Sequence, residues 1–219
     1  MVVESQTLTA LPLFPLGTVL FPGGILPLRI FEVRYLDMIG KCHKNGTPFG
    51  VVALTQGSEV RRPQADAPGD GFANEVFESV GTLAAITEFS APQAGLMLVR
   101  CIGTQRFKIK RSEKLKHGLW VAEAEPLPSD VAVKVPGDLQ SASDALVKLM
   151  DTLKERAIPP DQMPMLEPYQ FDDCGWVANR WSELLPIPVT LKQQLMALDN
   201  PLLRLELVND ILERSGISS

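Results

Sequence analysis

Three cysteines and two histidines are the side chains of this sequence with which nucleophilic or metal chemistry could begin. Cys42 and His43 are adjacent, and neighbours on a helix point in different directions, which argues against a shared metal or a catalytic pair. Cys174 follows Asp172 and Asp173, whose negative charges would raise the pKa of its thiol rather than lower it. The sequence therefore predicts no metal site and an inert thiol at position 174.

Sequence motifs for nucleotide binding and for serine hydrolysis are absent. There is no GxxxxGK phosphate loop ending in Ser or Thr, no GxGxxG after a strand, and no GxSxG nucleophile turn. We therefore predict no catalytic residue and no cofactor. A hydrolase built on Cys174, His43 and the neighbouring acids remains an alternative, although no triad-like spacing supports it.

A run of basic residues on an alternating strand offers a different chemistry, the binding of nucleic acid. In "TQRFKIK" and the residue after it, four cations form a candidate RNA surface on the expected solvent face: Arg106, Lys108, Lys110 and Arg111. An RNA platform also needs exposed aromatic rings, and Phe107 alternates to the opposite, inner face. We therefore favour a solvated strand face whose charges discourage edge pairing, and keep RNA binding as the alternative.

Composition and charge limit the partners further. The net charge is −5 and the isoelectric point about 5.1, so no overall field attracts nucleic acid or an anionic membrane. The N-terminal "MVVESQTLTA" lacks the basic and apolar regions of a signal peptide, and no run approaches the ~18 apolar residues of a membrane helix. Three widely spaced cysteines indicate reduced thiols rather than disulfides. We expect a cytoplasmic protein without a membrane segment and without a nucleic-acid partner.

The elements that must position these residues begin with a β-rich half. Up to about residue 125 the pattern is mainly that of short strands, predicted at residues 24–31, 48–54, 75–89, 95–103, 104–110 and 117–126. Gly81 is expected to mark a bulge or bend in the third of these. One helix is predicted at residues 32–46, because four side chains fall on a single helical face: Tyr35, Met38, Ile39 and Cys42.

The second half of the chain has helical spacing instead. We expect "PLPSDVAVKVPGD" to be a linker, Asp138 to cap the helix that follows, and further helices at residues 172–186, 190–198 and after the Asn200-Pro201 pair. The polar segment 55–74 is expected to be a mobile loop or a loose hairpin tip. We predict an α+β protein with two domains, at residues 10–126 and 138–214.

The segment "LPLFPLGTVLFPGGILPLRIFEVRY" combines prolines and glycines with an apolar majority, and we interpret it as the start of the core. "FPGG" is expected to turn the chain, because its glycines are free to adopt positive φ. Glu32, Arg34 and Tyr35 are expected to open the first helix. Charge pairing at this corner would fix the angle between strand and helix.

The same segment, continued by "LDMI", resembles the start of the Lon substrate-binding domain of ATP-dependent proteases. "VGTLAAITEF" and "LMLVRCIGTQRFKIK" follow in the order that this family has, and "WSELLPIPVTLKQQLMALDNPLLRLELVNDIL" resembles the helical part after its barrel. The resemblance covers about residues 10–214. Val33 is a departure, since relatives commonly carry proline there.

The resemblance implies a PUA-like β-barrel over residues 10–126, followed by an α-helical bundle over 138–214. In Lon proteases this region helps to capture substrate proteins, whereas the ATPase and Ser–Lys peptidase modules lie downstream and are not found in this sequence. We therefore expect a non-enzymatic module that binds unfolded or extended polypeptides or a protein partner, through strand edges and apolar grooves. The candidate contacts are Phe21, Pro22, Gly23, Gly24 and Trp176.

Overall fold

A computed structural model describes residues 7–59 and 74–217 of the chain. These residues belong to two compact units, Met1–Pro128 and Ser129–Ser219. Among the described residues, the first unit holds seven strands and one α-helix, and the second holds four α-helices. The protein is therefore mixed in α and β structure, with the strands first and most helices last, as the periodicities predict. No helix in the described ranges has the length and apolarity needed to cross a membrane.

The first unit places its helix between the second and third strands. Its elements in chain order are β1 (Leu8–Leu16), β2 (Ile25–Ile30), α1 (Val33–Asn45), β3 (Phe49–Gln56), β4 (Val76–Phe77), β5 (Val80–Gln93), β6 (Leu96–Lys114) and β7 (Trp120–Pro126). The predicted strand at 75–89 is divided between β4 and β5. Of the loop predicted at 55–74, residues 60–73 lie outside the described residues.

The strand pairings of the first unit return to their starting point. The sheet order is β1-β7-β6-β5-β3-β4, and β1 also pairs in parallel with β3, so that five strands form a closed ring of pairings. β2 pairs antiparallel with the first part of β6, whereas β7 pairs with its last part. The two strands predicted at 95–103 and 104–110 are one continuous strand, because both parts of β6 pair with β5 on the other side.

Helix α1 covers one side of the sheet with the face that the sequence predicts. Tyr35, Met38, Ile39 and Cys42 are all buried in one apolar cluster with residues of the sheet. The helix ends at Asn45, and Gly46 follows with φ 62°, a conformation that glycine adopts at little cost. Both the position and the end of this helix are therefore confirmed.

Two glycines of the sheet lie where another part of the backbone passes very close. A Cβ atom on Gly103 would be 2.1 Å from the carbonyl oxygen of Phe21, and one on Gly81 would be 2.3 Å from that of Val51. The predicted bulge at Gly81 is wrong, since Gly81 pairs regularly with Phe107 and the register shift lies at Thr82 to Ala84. Both glycines are required by close packing of backbones.

The second unit is built around α3. Its elements are a 3-10 turn (Gly137–Leu139), α2 (Gln140–Glu155), a second 3-10 turn (Pro160–Gln162), α3 (Cys174–Leu184), α4 (Val189–Ala197) and α5 (Pro201–Arg214), and α3 packs against α2, α4 and α5. Asn200 caps α5 as predicted, accepting from two backbone N–H groups. Asp138 does not cap α2, because the 3-10 turn that contains it precedes the helix.

A buried arginine connects the chain segments of the second unit. Arg204 on α5 forms an ion pair with Asp130, with Nη1–Oδ2 and Nη2–Oδ1 distances of 2.5 and 3.2 Å. Its Nη1 also donates to Asn179 of α3, and its remaining donors reach the carbonyl oxygens of Leu195 and Leu198. A charge at this depth is tolerated because all of its hydrogen-bonding capacity is used.

We expect replacement of Gly103 by alanine to lower the free energy of unfolding by about 3 kcal/mol, because the new methyl group overlaps a backbone oxygen that cannot move alone. Chemical unfolding followed by circular dichroism measures this. Gly40→Ala is the matched control. A Cβ atom on Gly40 would be 3.9 Å from its nearest neighbour, and alanine should stabilise the helix by up to about 1 kcal/mol relative to glycine. Equal stability of the two variants would contradict the close approach.

Candidate functional site

A groove with apolar walls lies beside β2 in the first unit. Its volume is about 230 Å³, and strands β1 and β2, the residue after β2, and helix α1 supply its apolar wall: Phe14, Leu16, Leu28, Ile30, Phe31 and Tyr35. Pockets for drug-sized molecules are larger, at about 300–1,000 Å³. The groove is therefore suited to one bulky side chain rather than to a cofactor.

Strand β2 is an edge strand next to this groove. Among the described residues it pairs with β6 alone, so one of its sides carries backbone groups without a partner strand. Phe31 follows the strand and is 52% exposed, and Leu98, the cross-strand neighbour of Arg29, is 42% exposed. Val33, at the start of α1, is 73% exposed. Of these three side chains, Phe31 lines the groove and is therefore the one available to a molecule bound there.

The predicted corner residues form part of a buried charge network. The Arg34 guanidinium donates from Nη2 to Glu75 Oε1 at 2.9 Å and from Nη1 to the Gly118 carbonyl oxygen at 2.8 Å. Its Nε is 3.3 Å from Glu32 Oε2 but is not aligned for a hydrogen bond. Burial alone would lower the pKa of Arg34, but the hydrogen bond with Glu75 and nearby charges raise it above its ordinary value.

This network positions one wall of the groove. The Arg34 guanidinium lies 4.4 Å from the centre of the Tyr35 ring, and the ring of Phe14 stacks on that of Tyr35 with a centroid distance of 3.9 Å. Glu75 also accepts a hydrogen bond from Trp120 Nε1 at 2.8 Å, which connects α1 to β7. The sequence predicts Glu32, Arg34 and Tyr35 as a unit but gives no sign of Glu75, which is 41 residues from Arg34.

The predicted contact residues of "FPGG" form a turn that packs into the core. Phe21 is fully buried and Gly24 is buried, so neither residue is exposed to a partner in this structure, and their role as contacts stays a prediction. Gly23 has φ 75° and donates its N–H to the Gly103 carbonyl oxygen at 2.7 Å. Pro22 is half-buried and Gly23 exposed, and these two remain predicted contacts.

Trp176, the other predicted contact, belongs to an aromatic cluster of the second unit. Its ring meets that of Phe171 edge-on at 5.3 Å and lies 6.2 Å from that of Tyr169, while the guanidinium of Arg180 is 5.8 Å away. All three rings are half-buried. A role for Trp176 in binding stays a prediction.

The basic strand differs from the predicted RNA surface at its first residue. Arg106 is buried rather than exposed, because the chain leaving β7 covers it: its Nη2 lies 3.4 Å from the Pro128 carbonyl oxygen, to which it donates. Its backbone oxygen accepts the N–H of Leu127. Phe107 is fully buried, as predicted, so no aromatic ring is interleaved with the exposed charges.

The remaining cations of this strand lie opposite acids of β7. Lys110 Nζ is 3.2 Å from Glu125, and Arg111 Nη2 is 3.9 Å from Glu123. Lys108 is exposed and has Glu125 as its cross-strand neighbour. Alternating opposite charges on paired strands stabilise the sheet and leave little net positive charge for RNA.

The cysteines do not supply a nucleophile. Cys42, Cys101 and Cys174 are all buried and free, and burial raises the pKa of each thiol, for Cys101 to about 12. His43 is exposed and stacks on Phe89 at 4.2 Å. Within the described ranges no group of three or more metal-ligating side chains is found. The hydrolase alternative therefore lacks an activated thiol.

Replacement of Glu75 by glutamine is expected to lower the free energy of unfolding by about 2–3 kcal/mol, because the buried Arg34 loses its charged hydrogen-bond partner. Glu32→Gln is the comparison variant and should cost less than about 1 kcal/mol, because Glu32 is partly exposed and not hydrogen-bonded to Arg34. Thermal and chemical unfolding of both variants show which of the two is less stable. The reverse order would refute this account of the corner.

The thiols are expected to resist a disulfide reagent at pH 8 in the folded protein and to react fully in guanidinium chloride. Burial raises the pKa of Cys101 to about 12, so the folded protein keeps this proton at pH values where the unfolded chain loses it. The contribution of Cys101 to the free energy of unfolding is therefore complete below about pH 9 and is lost as the pH rises towards 12. Ser90→Cys, at an exposed position, is the positive control for labelling. Rapid labelling of the unaltered folded protein would contradict the burial of all three thiols.

Comparison with known proteins agrees with this architecture. The family model for the ATP-dependent protease La (LON) substrate-binding domain matches residues 10–214. The Lon protease of Anaeromyxobacter dehalogenans (strain 2CP-C) is 26% identical over 210 residues, which cover 93% of this chain and 23% of that protein. The chain thus spans less than a quarter of the length of this curated relative.

Solved structures have the same fold. The crystal structure of a Lon N-terminal domain protein from Xanthomonas campestris superposes with a TM-score of 0.70 and 29% identity, covering 93% of this chain and 98% of that one. The N-terminal domain of the Mycobacterium avium complex Lon protease superposes with a TM-score of 0.54 and 15% identity, covering 92% of this chain and 96% of that one. This second likeness is one of fold alone. With the family model matched from residue 10 to residue 214, the chain belongs to the LON substrate-binding domain family.

Proposed function

We propose that this chain recognises substrate polypeptides in unfolded or extended form and does not cleave them itself. The observation that carries the proposal is the apolar groove beside the edge strand β2, lined in part by the exposed Phe31, in a member of a substrate-binding family. An apolar groove next to free backbone groups suits a chain whose own side chains and backbone are not yet paired.

The architecture of this recognition module is part of the same proposal. The closed ring of strand pairings would be the PUA-like β-barrel of residues 10–126, and the helices around α3 would be the helical bundle of residues 138–214. The related Anaeromyxobacter protein is a Lon protease, and this chain corresponds to less than a quarter of it. We infer that captured chains are hydrolysed by protein regions outside this sequence. We also infer that this takes place in the cytoplasm.

The charge pattern does not favour the RNA-binding alternative. Glu123 and Glu125 lie beside the cations of β6, and Arg106 is buried. A surface that binds RNA needs unpaired cations along the phosphate backbone, and its affinity falls steeply with salt. Polypeptide binding through an apolar groove depends much less on salt.

We expect the protein to bind reduced, carboxymethylated α-lactalbumin, which is permanently unfolded, and not the native form. Phe31→Ala should weaken this binding about tenfold, because it removes an exposed apolar rim without disturbing the core. Leu203→Ala is the matched control, since Leu203 is 41% exposed on α5 of the second unit and is not among the residues that line the groove. Fluorescence anisotropy gives both affinities, and unfolding curves confirm that the variants are folded.

The same measurements can reject the proposed function. Failure of the unaltered protein to bind the unfolded chain, together with salt-sensitive binding of RNA that Lys108→Ala and Lys110→Ala weaken, would replace it with the RNA alternative. Hydrolysis of the unfolded chain by the purified protein, with or without ATP, would contradict the absence of catalysis.

A further inference from the structure

We propose that an extended polypeptide segment adds to the outer edge of β2 as a further strand, exchanging backbone hydrogen bonds with Arg29. The two side chains that flank the paired residue of the segment then face the groove, and one apolar side chain fills it. This inference rests on the proposed function and specifies how and where the substrate chain is held.

The direction of the β2 backbone groups follows from two observations. The Gly24 carbonyl oxygen accepts the N–H of Gly103, so residue 24 faces β6, and so do residues 26, 28 and 30 because backbone groups alternate along a strand. Pro27 falls in the other set, where its missing N–H costs no pairing with β6. Ile25, Pro27 and Arg29 therefore direct their backbone groups to the open edge, where no strand among the described residues pairs with the N–H and carbonyl oxygen of Arg29.

The side chains of an added strand have predictable positions. A residue paired with Arg29 places its side chain on the face of Arg29, whereas its two neighbours lie on the opposite face, with Leu28 and Ile30. Leu28 and Ile30 line the groove, and so do Phe14 and Leu16 of β1. The segment recognised is therefore extended and has large apolar residues on either side of the residue that pairs with Arg29.

Charge selects the residue between those two apolar positions. Arg29 is exposed, and no ion pair of its guanidinium occurs within the described residues. Directly opposite residues of unlike charge stabilise a strand pair, and like charges destabilise it. Glu32 and Glu59 also line the groove, but the residue paired with Arg29 lies directly opposite the guanidinium, so a segment of the form apolar–acidic–apolar fits this position better than apolar–basic–apolar.

Other strand edges of the first unit are less suitable. β4 has only two residues, and the far part of β5 carries Glu88, Ser90 and Pro92, which are residues that discourage pairing. Pro27 has a related effect within β2, because the missing N–H limits pairing to a short segment around Arg29. The groove along α2 is larger, at about 470 Å³, but its wall is helical and offers no free backbone edge.

The test uses a short fluorescein-labelled peptide with Phe-Glu-Phe at its centre, flanked by threonine and serine, and its N-methylated forms. A methyl group on the glutamate nitrogen removes the N–H that would face Arg29, whereas one on the following phenylalanine nitrogen removes an N–H that points away. We expect the first to weaken binding about tenfold and the second less than about threefold. A lysine in place of the glutamate should weaken binding about two- to fivefold.

Two variants of Arg29 test the protein side. Arg29→Pro removes the outward N–H and the side chain, and Arg29→Ala removes the side chain alone, so binding should be about five- to tenfold weaker in the proline variant than in the alanine variant. Pro27 shows that β2 accepts proline at an outward position. Circular dichroism establishes whether the proline variant is folded, and the N-methylated peptides give the answer with unaltered protein in either case.

Each result separates this inference from the proposed function. Equal affinity of the two N-methylated peptides, or unfolded α-lactalbumin binding without any binding of the central peptide, would overturn strand addition while leaving polypeptide recognition in place. Absence of binding by unfolded α-lactalbumin and by every peptide would overturn both.

Discussion

A buried guanidinium group needs an oppositely charged partner, and in the first unit this requirement connects three parts of the chain. Arg34 at the start of α1 reaches Glu75 just before β4 and the Gly118 carbonyl oxygen just before β7. Since neither charge is exposed, separating them would leave an uncompensated ion in the interior. The position of α1 on the sheet, and of the Tyr35 ring that forms one wall of the groove, therefore depends on this pair.

Close backbone packing sets the other side of the groove. Gly103 allows the "FPGG" turn to lie directly against β6, and the hydrogen bonds between Gly23, Gly24 and Gly103 fix where β2 begins to pair. The register of β2 then decides which of its backbone groups face outward. A segment rich in proline and glycine thus has two structural roles, since it fills the core with Phe21 and starts an edge strand of defined register.

Recognition through a backbone edge and one apolar groove suits a domain of a substrate-binding family. Backbone hydrogen bonds are the same for every sequence, so in the proposed strand addition they would give affinity without strong selectivity, and the groove would add a preference for bulky apolar side chains. Unfolded chains present both features, whereas folded proteins have already used them internally. The cross-strand ion pairs of β6 and β7 lie on a different pair of strands and stabilise the sheet.

The sequence by itself determined the family, the order of strands and helices, the apolar face of α1 and the cap of α5, because these depend on local spacing and on residues near in the chain. It also predicted Glu32, Arg34 and Tyr35 as a corner between strand and helix. Only the tertiary structure identified Glu75 as the partner of Arg34, buried Phe21 and Arg106, and placed the groove beside β2. Those properties depend on which distant segments cover a given residue, and alternation along one strand carries no information about what lies above it.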